Sequence, residues 1–243
     1  MIFLMSGDGN HSLCLDSSRA WHESWLAPQG IRFLCIQQTT PKHPGGGDGC
    51  FKKIHALLGV MAGAIEGELL VVADSDWVCT NRKAELRALE DLLGDKDILC
   101  AFHPAEHDAI NGNRSWMNMG FFAVRNTKKM RQYFADVWTQ PALGFKDLPK
   151  PVYEVVSKWY ERRWTKTDEM RVSTDVYNGV ISAAELPILW NVCWKADVNV
   201  TPDKRASTPI NGKSVQINGY HWAYEPDKET VSRHMRRLIN KLG

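Results

Sequence analysis

The sequence has no C-x-x-C pair, no excess of charge of either sign and no long apolar run. Its six cysteines (Cys14, Cys35, Cys50, Cys79, Cys100 and Cys193) are scattered without the spacing of a zinc site or a disulfide framework, so they read as reduced thiols. Lys and Arg number 30 against 28 for Asp and Glu, a formal charge of +2, which argues against a nucleic-acid coat or a polyanionic tail. No window approaches the roughly 20 apolar residues of a membrane span. The start, MIFLMSGDGN, lacks the basic region and the apolar stretch of a signal peptide. These absences predict a cytoplasmic protein without a transmembrane segment, in which the N-x-S/T matches at Asn113 and Asn199 are chance. Internal repeats and low-complexity tracts are missing as well.

What is present is an alternation of short apolar runs with helical stripes, within a length of 243 residues that suits one α/β domain. Met1 to Met5 reads as a buried strand stopped by SGDGN, Asp16 to Leu26 as a helix, and Ile31 to Ile36 as a second strand. After the loop PKHPGGGDG, a helix places Phe51, Ile54, Leu57, Leu58, Met61 and Ile65 on one stripe. ELLVVADSDWV then reads as a buried strand that ends in two acids, followed by a helix over Arg82 to Leu93 and a strand over Asp97 to Phe102. WMNMGFFAV and NTKKMRQYFADVW continue the rhythm as strand and helix. The predicted fold is an open, Rossmann-like α/β sheet with helices on both faces, its aromatic-rich C-terminal region built on the same sheet. ETVSRHMRRLINKLG closes the chain as a basic amphipathic helix with Val231, Met235, Leu238 and Ile239 on the side expected to dock on the core.

Asp74 and Asp76 end an apolar strand one residue apart, and a turn between them lets both carboxylates face one hard cation. Mg²⁺ and Mn²⁺ take such oxygen ligands and share them with substrate phosphates. An isolated D-x-D serves equally well as an exposed acidic turn. Its context here is a helix that opens with Lys52 and Lys53, a short gap and the apolar strand. The whole segment, FKKIHALLGVMAGAIEGELLVVADSDWVCT, resembles the donor site of the GT-A-fold glycosyltransferases.

The resemblance implies a metal-dependent enzyme that moves a sugar from a nucleoside-diphosphate sugar to a hydroxyl of a glycan, a lipid-linked or another acceptor. In such a protein Asp74 faces the nucleotide or second shell, Ser75 lies between the acids, Asp76 is the direct metal ligand, and Lys53 lies near the donor while Lys52 is solvated. SWMNMGFFAV is similar to the family's N-x-G strand, so Asn118 would reach the donor sugar or acceptor and Gly120 would keep the backbone clear for it. The family takes a further ligand from a late histidine, which INGYHWAYE supplies as His221, so Mn²⁺ or Mg²⁺ would be held by Asp74, Asp76 and His221. Ser6, Gly7 and Asp8 end the first strand where nucleotides bind in open α/β sheets. The family commonly has a catalytic acid at the start of a helix beneath the acceptor, for which TDEMRVSTDVYNGVISAAE offers Asp168, Glu169 and Asp175; Asp175, followed by an apolar helical pattern, is either the acceptor-activating base or a helix cap. Related retaining families carry an Asp-Gln pair here, whereas Val176 follows Asp175, which leaves the stereochemistry open. By this resemblance residues 1–225 form the catalytic domain, with 1–124 as donor half and 125–225 as acceptor half, and 226–243 form the terminal helix.

Other motifs compete. HPAEH, with His103 and His107, formally matches a zinc peptidase pattern, but Pro104 restricts the helix it needs and no third ligand is marked. PGGGDGCFKK lacks the Gly-Lys-Ser/Thr ending of a P-loop and reads instead as a mobile rim of the donor mouth. KPVYEVVSKWYERRW mixes bases with aromatics as nucleic-acid binders do, so a nucleic-acid acceptor is a disfavoured alternative. A nucleotidyltransferase of similar fold and a non-catalytic nucleotide-sugar or carbohydrate binder are the remaining alternatives.

Overall fold

The computed structural model describes residues 1–37, 39–47, 49–102, 117–150, 152–154, 166–187, 190–193, 207–210, 213–216, 218–222 and 227–243. In chain order the elements are β1 (Ile2–Gly7), α1 (His11–Leu26), β2 (Arg32–Gln37), α2 (Lys52–Gly63), β3 (Leu69–Asp74), β4 (Trp77–Cys79), α3 (Ala88–Leu93), β5 (Ile98–Phe102), β6 (Met117–Arg125) and α4 (Lys128–Thr139). They are followed by α5 (Asp168–Tyr177), β7 (Ala183–Glu185), β8 (Val192–Cys193), β9 (Ser207–Ile210), β10 (Lys213–Gln216), β11 (Gly219–His221) and α6 (Lys228–Leu242).

Six strands form the main sheet in the order β2-β1-β3-β6-β5-β7. β1 runs parallel to β2 and β3, β5 runs parallel to β7, and β6 is antiparallel to both neighbours, so the sheet is mixed and mostly parallel. Side-chain alternation divides two cores across it. Ile2 and Leu4 of β1 point into a core shared with Ile54, Leu57 and Met61 of α2 and Met130, Phe134 and Val137 of α4. Phe3 and Met5 point to the opposite face, against Leu15, Trp25 and Leu26 of α1 and Leu89 and Leu93 of α3. The predicted arrangement of helices on both faces is therefore present.

Several boundaries differ from the sequence reading. α1 starts at His11 rather than Asp16, because the chain turns into it at once through Asp8 to Asn10, whose carbonyls accept from the amides of His11, Ser12 and Leu13. Only Ala88–Leu93 of the predicted helix from Arg82 is helical. Asn81 explains the delay: its side-chain oxygen accepts from the Lys83 amide (3.1 Å), offering the backbone a turn in place of a helix. α2 stops at Gly63 and Ala64 is extended, which leaves Ile65 76 % exposed instead of on the apolar stripe. The Gly-rich stretch before α2 is pinned rather than loose, since His43 Nε2 donates to the Val137 carbonyl (3.1 Å) and Nδ1 accepts from the Gly47 amide (2.9 Å).

The aromatic-rich C-terminal region lies only partly on the main sheet. β7 extends that sheet, whereas β8 and β11 combine with β4 in a separate three-stranded sheet of order β4-β11-β8. The cause is the turn at Ser75 and Asp76, which peels β4 away from β3 and gives β11 an edge to pair with. α6 docks as expected: Val231, Met235 and Leu238 pack with Cys14 and Trp21 of α1 and with Val78, Tyr220 and Trp222 of the small sheet. Among the described residues no helix is long and apolar enough to cross a membrane, and Cys14, Cys35, Cys79 and Cys100 are free thiols. His103, His107, Asn113, Asn199 and the KPVYEVVSKWYERRW stretch beyond Glu154 lie outside the described residues.

Candidate cation and donor site

β3 delivers Asp74 to the carboxyl edge of the main sheet, in register with Ser6 of β1. The chain then turns through Ser75 and Asp76, and Trp77 anchors the turn from below. Trp77 is fully buried, its ring stacks on Phe121 at 4.7 Å, and its indole N–H donates to the Trp190 carbonyl (2.9 Å). Gly219 makes room for that indole, because a Cβ there would lie 2.2 Å from the ring. β11 pairs antiparallel with β4 and sets His221 opposite Trp77, while the Trp222 amide donates to the Asp76 carbonyl (3.2 Å).

His221 Nε2 consequently lies 3.4 Å from Asp74 Oδ2 and 3.2 Å from Asp76 Oδ1. The three potential ligand atoms fall within 4.8 Å of one another. Asp76 and His221 are buried, and Asp74, at 28 % side-chain exposure, is the member open to solvent. A six-coordinate Mg²⁺ or Mn²⁺ with bonds of about 2.1 Å at right angles holds neighbouring ligands about 3 Å apart. The separations of His221 from the two carboxylates match that spacing, and two carboxylates with one imidazole are a donor set such ions accept. These residues therefore fit a divalent cation.

The remaining oxygen of each acid carries a lysine. Lys53 Nζ lies 2.8 Å from Asp74 Oδ1 and 3.3 Å from Asp168 Oδ2, and it donates to the Met119 carbonyl (2.9 Å). Lys228 Nζ lies 2.6 Å from Asp76 Oδ2. Burial opposes charge on Lys53, yet Asp168 and Asp74 outweigh it and raise its pKa well above the usual lysine range. Burial likewise opposes the charge of Asp76, but His221 and Lys228 hold its pKa below the usual carboxylate range; for Asp74 the opposing groups are Lys53 and His221.

The residues expected from sequence fall into place unevenly. Lys53 is at the site but turned inward behind Asp74, and Lys52, expected to be solvated, is paired with Asp8. Ser75 is buried and its hydroxyl lies 3.0 Å from His11 Nδ1. Gly7 sits under the start of α1, where a Cβ would approach His11 to 3.1 Å. Gly120 clears space for His221: a Cβ there would lie 2.1 Å from His221 Cε1. Asn118 does not offer its amide oxygen to a ligand, since Oδ1 accepts from the Gly120 amide and from Asn191 Nδ2, each at 2.8 Å. Gly120 lies in a bulge that Asn118 borders, for the β5–β6 pairing jumps from Cys100↔Phe122 to Ala101↔Asn118.

Asp175 is not at a helix start. α5 begins at Asp168 under a cap from Thr167, and Asp175 lies in its last turn, accepting from Arg171 Nε (2.7 Å) and Tyr133 Oη (3.1 Å). The acids at the helix start are Asp168, buried against Lys53, and Glu169, whose Oε1 accepts from the Met119 amide (3.0 Å).

No protein-family model matches the sequence, and no curated protein sequence does. Solved structures do match. A glycosyltransferase involved in glycosylation of the major capsid of PBCV-1 is 12 % identical with a TM-score of 0.56, over 97 % of this chain and 98 % of its own. The galactosyltransferase LgtC is 14 % identical with a TM-score of 0.52, over 99 % and 96 %. The chain has the GT-A glycosyltransferase fold. GlyE of Streptococcus pneumoniae TIGR4 aligns more loosely, at 11 % identity and a TM-score of 0.50 over 99 % of this chain and 62 % of its own.

Within this GT-A fold, the sequence reading overlooked Lys228, His11 and Asn191, and it favoured Asp175 over Glu169. A signal existed for Lys228 and for the choice of Glu169. Lys228 follows Asp227, a helix-capping residue, shortly after His221, and Thr167-Asp168-Glu169 is a helix-entry pattern. His11 and Asn191 carry no local signature, because each is defined by a partner far along the chain.

Proposed function

We propose that the protein is a divalent-metal-dependent glycosyltransferase that moves a sugar from a nucleoside-diphosphate sugar to a hydroxyl of a glycan, lipid-linked or other acceptor. The observation that carries this reading is the convergence of Asp74, Asp76 and His221 at the carboxyl edge of a GT-A sheet. LgtC, which shares the fold, was solved with donor and acceptor sugar analogues, and that supports the same ligand classes here.

Asp76 and His221 hold Mn²⁺ or Mg²⁺, with Asp74 as the solvent-open member turned to the nucleotide. The ion, when bound, supplies Lewis-acid stabilisation of the departing diphosphate. The protein's own groups orient that chemistry. Lys53 neutralises one oxygen of Asp74 and keeps the other toward His221, so the acid reaches the donor in a fixed rotamer. Ser6, Gly7, Asp8 and Ser75 line the ends of β1 and β3, where an open α/β sheet receives its nucleotide. Asn118 and Gly120 act on the sugar side through the bulge they shape. We assign the acceptor-side carboxylate to Glu169 rather than Asp175, because Glu169 stands half-buried at the helix start beside that bulge.

The test is nucleoside diphosphate release from a panel of nucleotide sugars with Mn²⁺, with and without EDTA. Release is expected from at least one donor, and to be abolished by EDTA and by Asp76→Ala. Release undiminished by either treatment sinks the metal role. Binding of a donor without release identifies a binding protein, and pyrophosphate release from a nucleoside triphosphate identifies a nucleotidyltransferase.

A further inference from the structure

Lys228 is the first residue of α6, and its ammonium reaches back to Asp76. The element that delivers it is firmly seated. Asp227 caps the helix by accepting from the amides of Glu229 and Thr230, and Val231, Met235 and Leu238 bury its apolar side. The Cys14 thiol of α1 donates to the Lys228 carbonyl (3.8 Å). The side chain is 10 % exposed and its partner oxygen belongs to an acid that is 5 % exposed.

The two lysines of the site are not equivalent. Lys53 is shared between Asp74, Asp168 and the Met119 carbonyl, so its charge stays balanced even when Asp74 takes another partner. Lys228 sits on Asp76 Oδ2 while Oδ1 of the same carboxylate faces His221. A divalent ion held by Oδ1 and the imidazole would then share one carboxylate with an ammonium, and like charges that close repel strongly in a poorly solvated site.

We propose that Lys228 is a built-in counter-cation of the site: it neutralises Asp76 in the metal-free protein and is displaced when a divalent ion binds, so the terminal helix sets the metal affinity. This rests on the reading of Asp74, Asp76 and His221 as metal ligands. The device keeps the acid pair from standing buried and uncompensated between turnovers, at the cost of weaker ion binding.

The experiment is a titration with Mn²⁺ alone, read by electron paramagnetic resonance of the free ion, on the wild-type chain, Lys228→Met and Lys228→Gln. Both variants are expected to bind Mn²⁺ at least about tenfold more tightly. Wild-type protein provides a second measurement that needs no variant to fold. Reductive methylation of Lys228, followed by peptide mass spectrometry, is expected to rise at least about threefold on saturation with Mn²⁺ while Lys53 stays unreactive. Equal or weaker Mn²⁺ affinity in the folded variants, or unchanged methylation of Lys228 on saturation, overturns this inference and leaves the metal reading standing. Mn²⁺ binding to none of the proteins overturns both.

Discussion

The charged groups around His221 and those around Asp175 are equally well paired, but the origins of their partners differ. Asp74 and Asp76 are met by Lys53 from α2, His221 from β11 and Lys228 from α6, segments that are remote in sequence. Asp175 is met by Arg171, one turn away on its own helix, and by Tyr133 from the neighbouring α4. A local ion pair of that kind holds a helix against a helix. A convergence of charges from many elements costs desolvation at each one, and in a cleft it is the pattern of a binding site.

Four substitutions test that contrast. Asp76→Ala or His221→Ala is expected to lower diphosphate release on the order of a thousandfold, while Asp175→Asn leaves it within a few-fold. A comparable loss at Asp175 would erase the distinction. Lys53→Met is expected to destabilise the fold by about 3 kcal/mol, because Asp74 and Asp168 lose their buried counter-charge. Differential scanning calorimetry should show Tm lower by roughly 8 °C. A Tm shift near zero would mean that the acids are neutralised in some other way.

Gly120→Ala is expected to cost about 2 kcal/mol through the collision with His221, and to weaken Mn²⁺ binding in the same preparation. Loss of stability with unchanged Mn²⁺ affinity would show that the ring moves without leaving its ligands. His22, under Trp77, is the contrasting histidine. Burial lowers its pKa to about 3, so below the usual value of 6.5 the unfolded chain gains a proton that the folded protein refuses. Stability should therefore fall as pH drops from about 6.5 toward 3, by about 1.4 kcal/mol per unit. His22→Gln should flatten that slope in urea unfolding series, and an unchanged slope would place the titrating group elsewhere.

How legible all this was in the sequence depends on the distance over which each feature is determined. The run LLVVAD ending in an acid marks a buried strand that opens at its carboxyl end, and the structure places β3 there. Alternation of apolar runs also sufficed for the layered α/β architecture. Gly120 was legible as a glycine that something needs, but the partner is a ring brought from β11, and no spacing along the chain reveals which. Asp175 was misplaced because Ser173 and Thr174 resemble a helix entry, although Thr167 begins the helix and accepts from the Met170 amide. The partition of β4 into its own sheet was hidden in a run that stays apolar through the turn, since Trp77 and Val78 are as buried as the residues of β3.

That small sheet also imposes an order in time. Five of the six main-sheet strands lie before residue 126, whereas β11 and α6 lie after residue 218. Chains emerge from the ribosome N-terminus first. The sheet can therefore assemble while Asp74 and Asp76 still wait for the imidazole that completes their set and the ammonium that balances it. On the reading of these residues as ligands, the set that would hold an ion is completed by β11, and α6 then adds the counter-charge that moderates it.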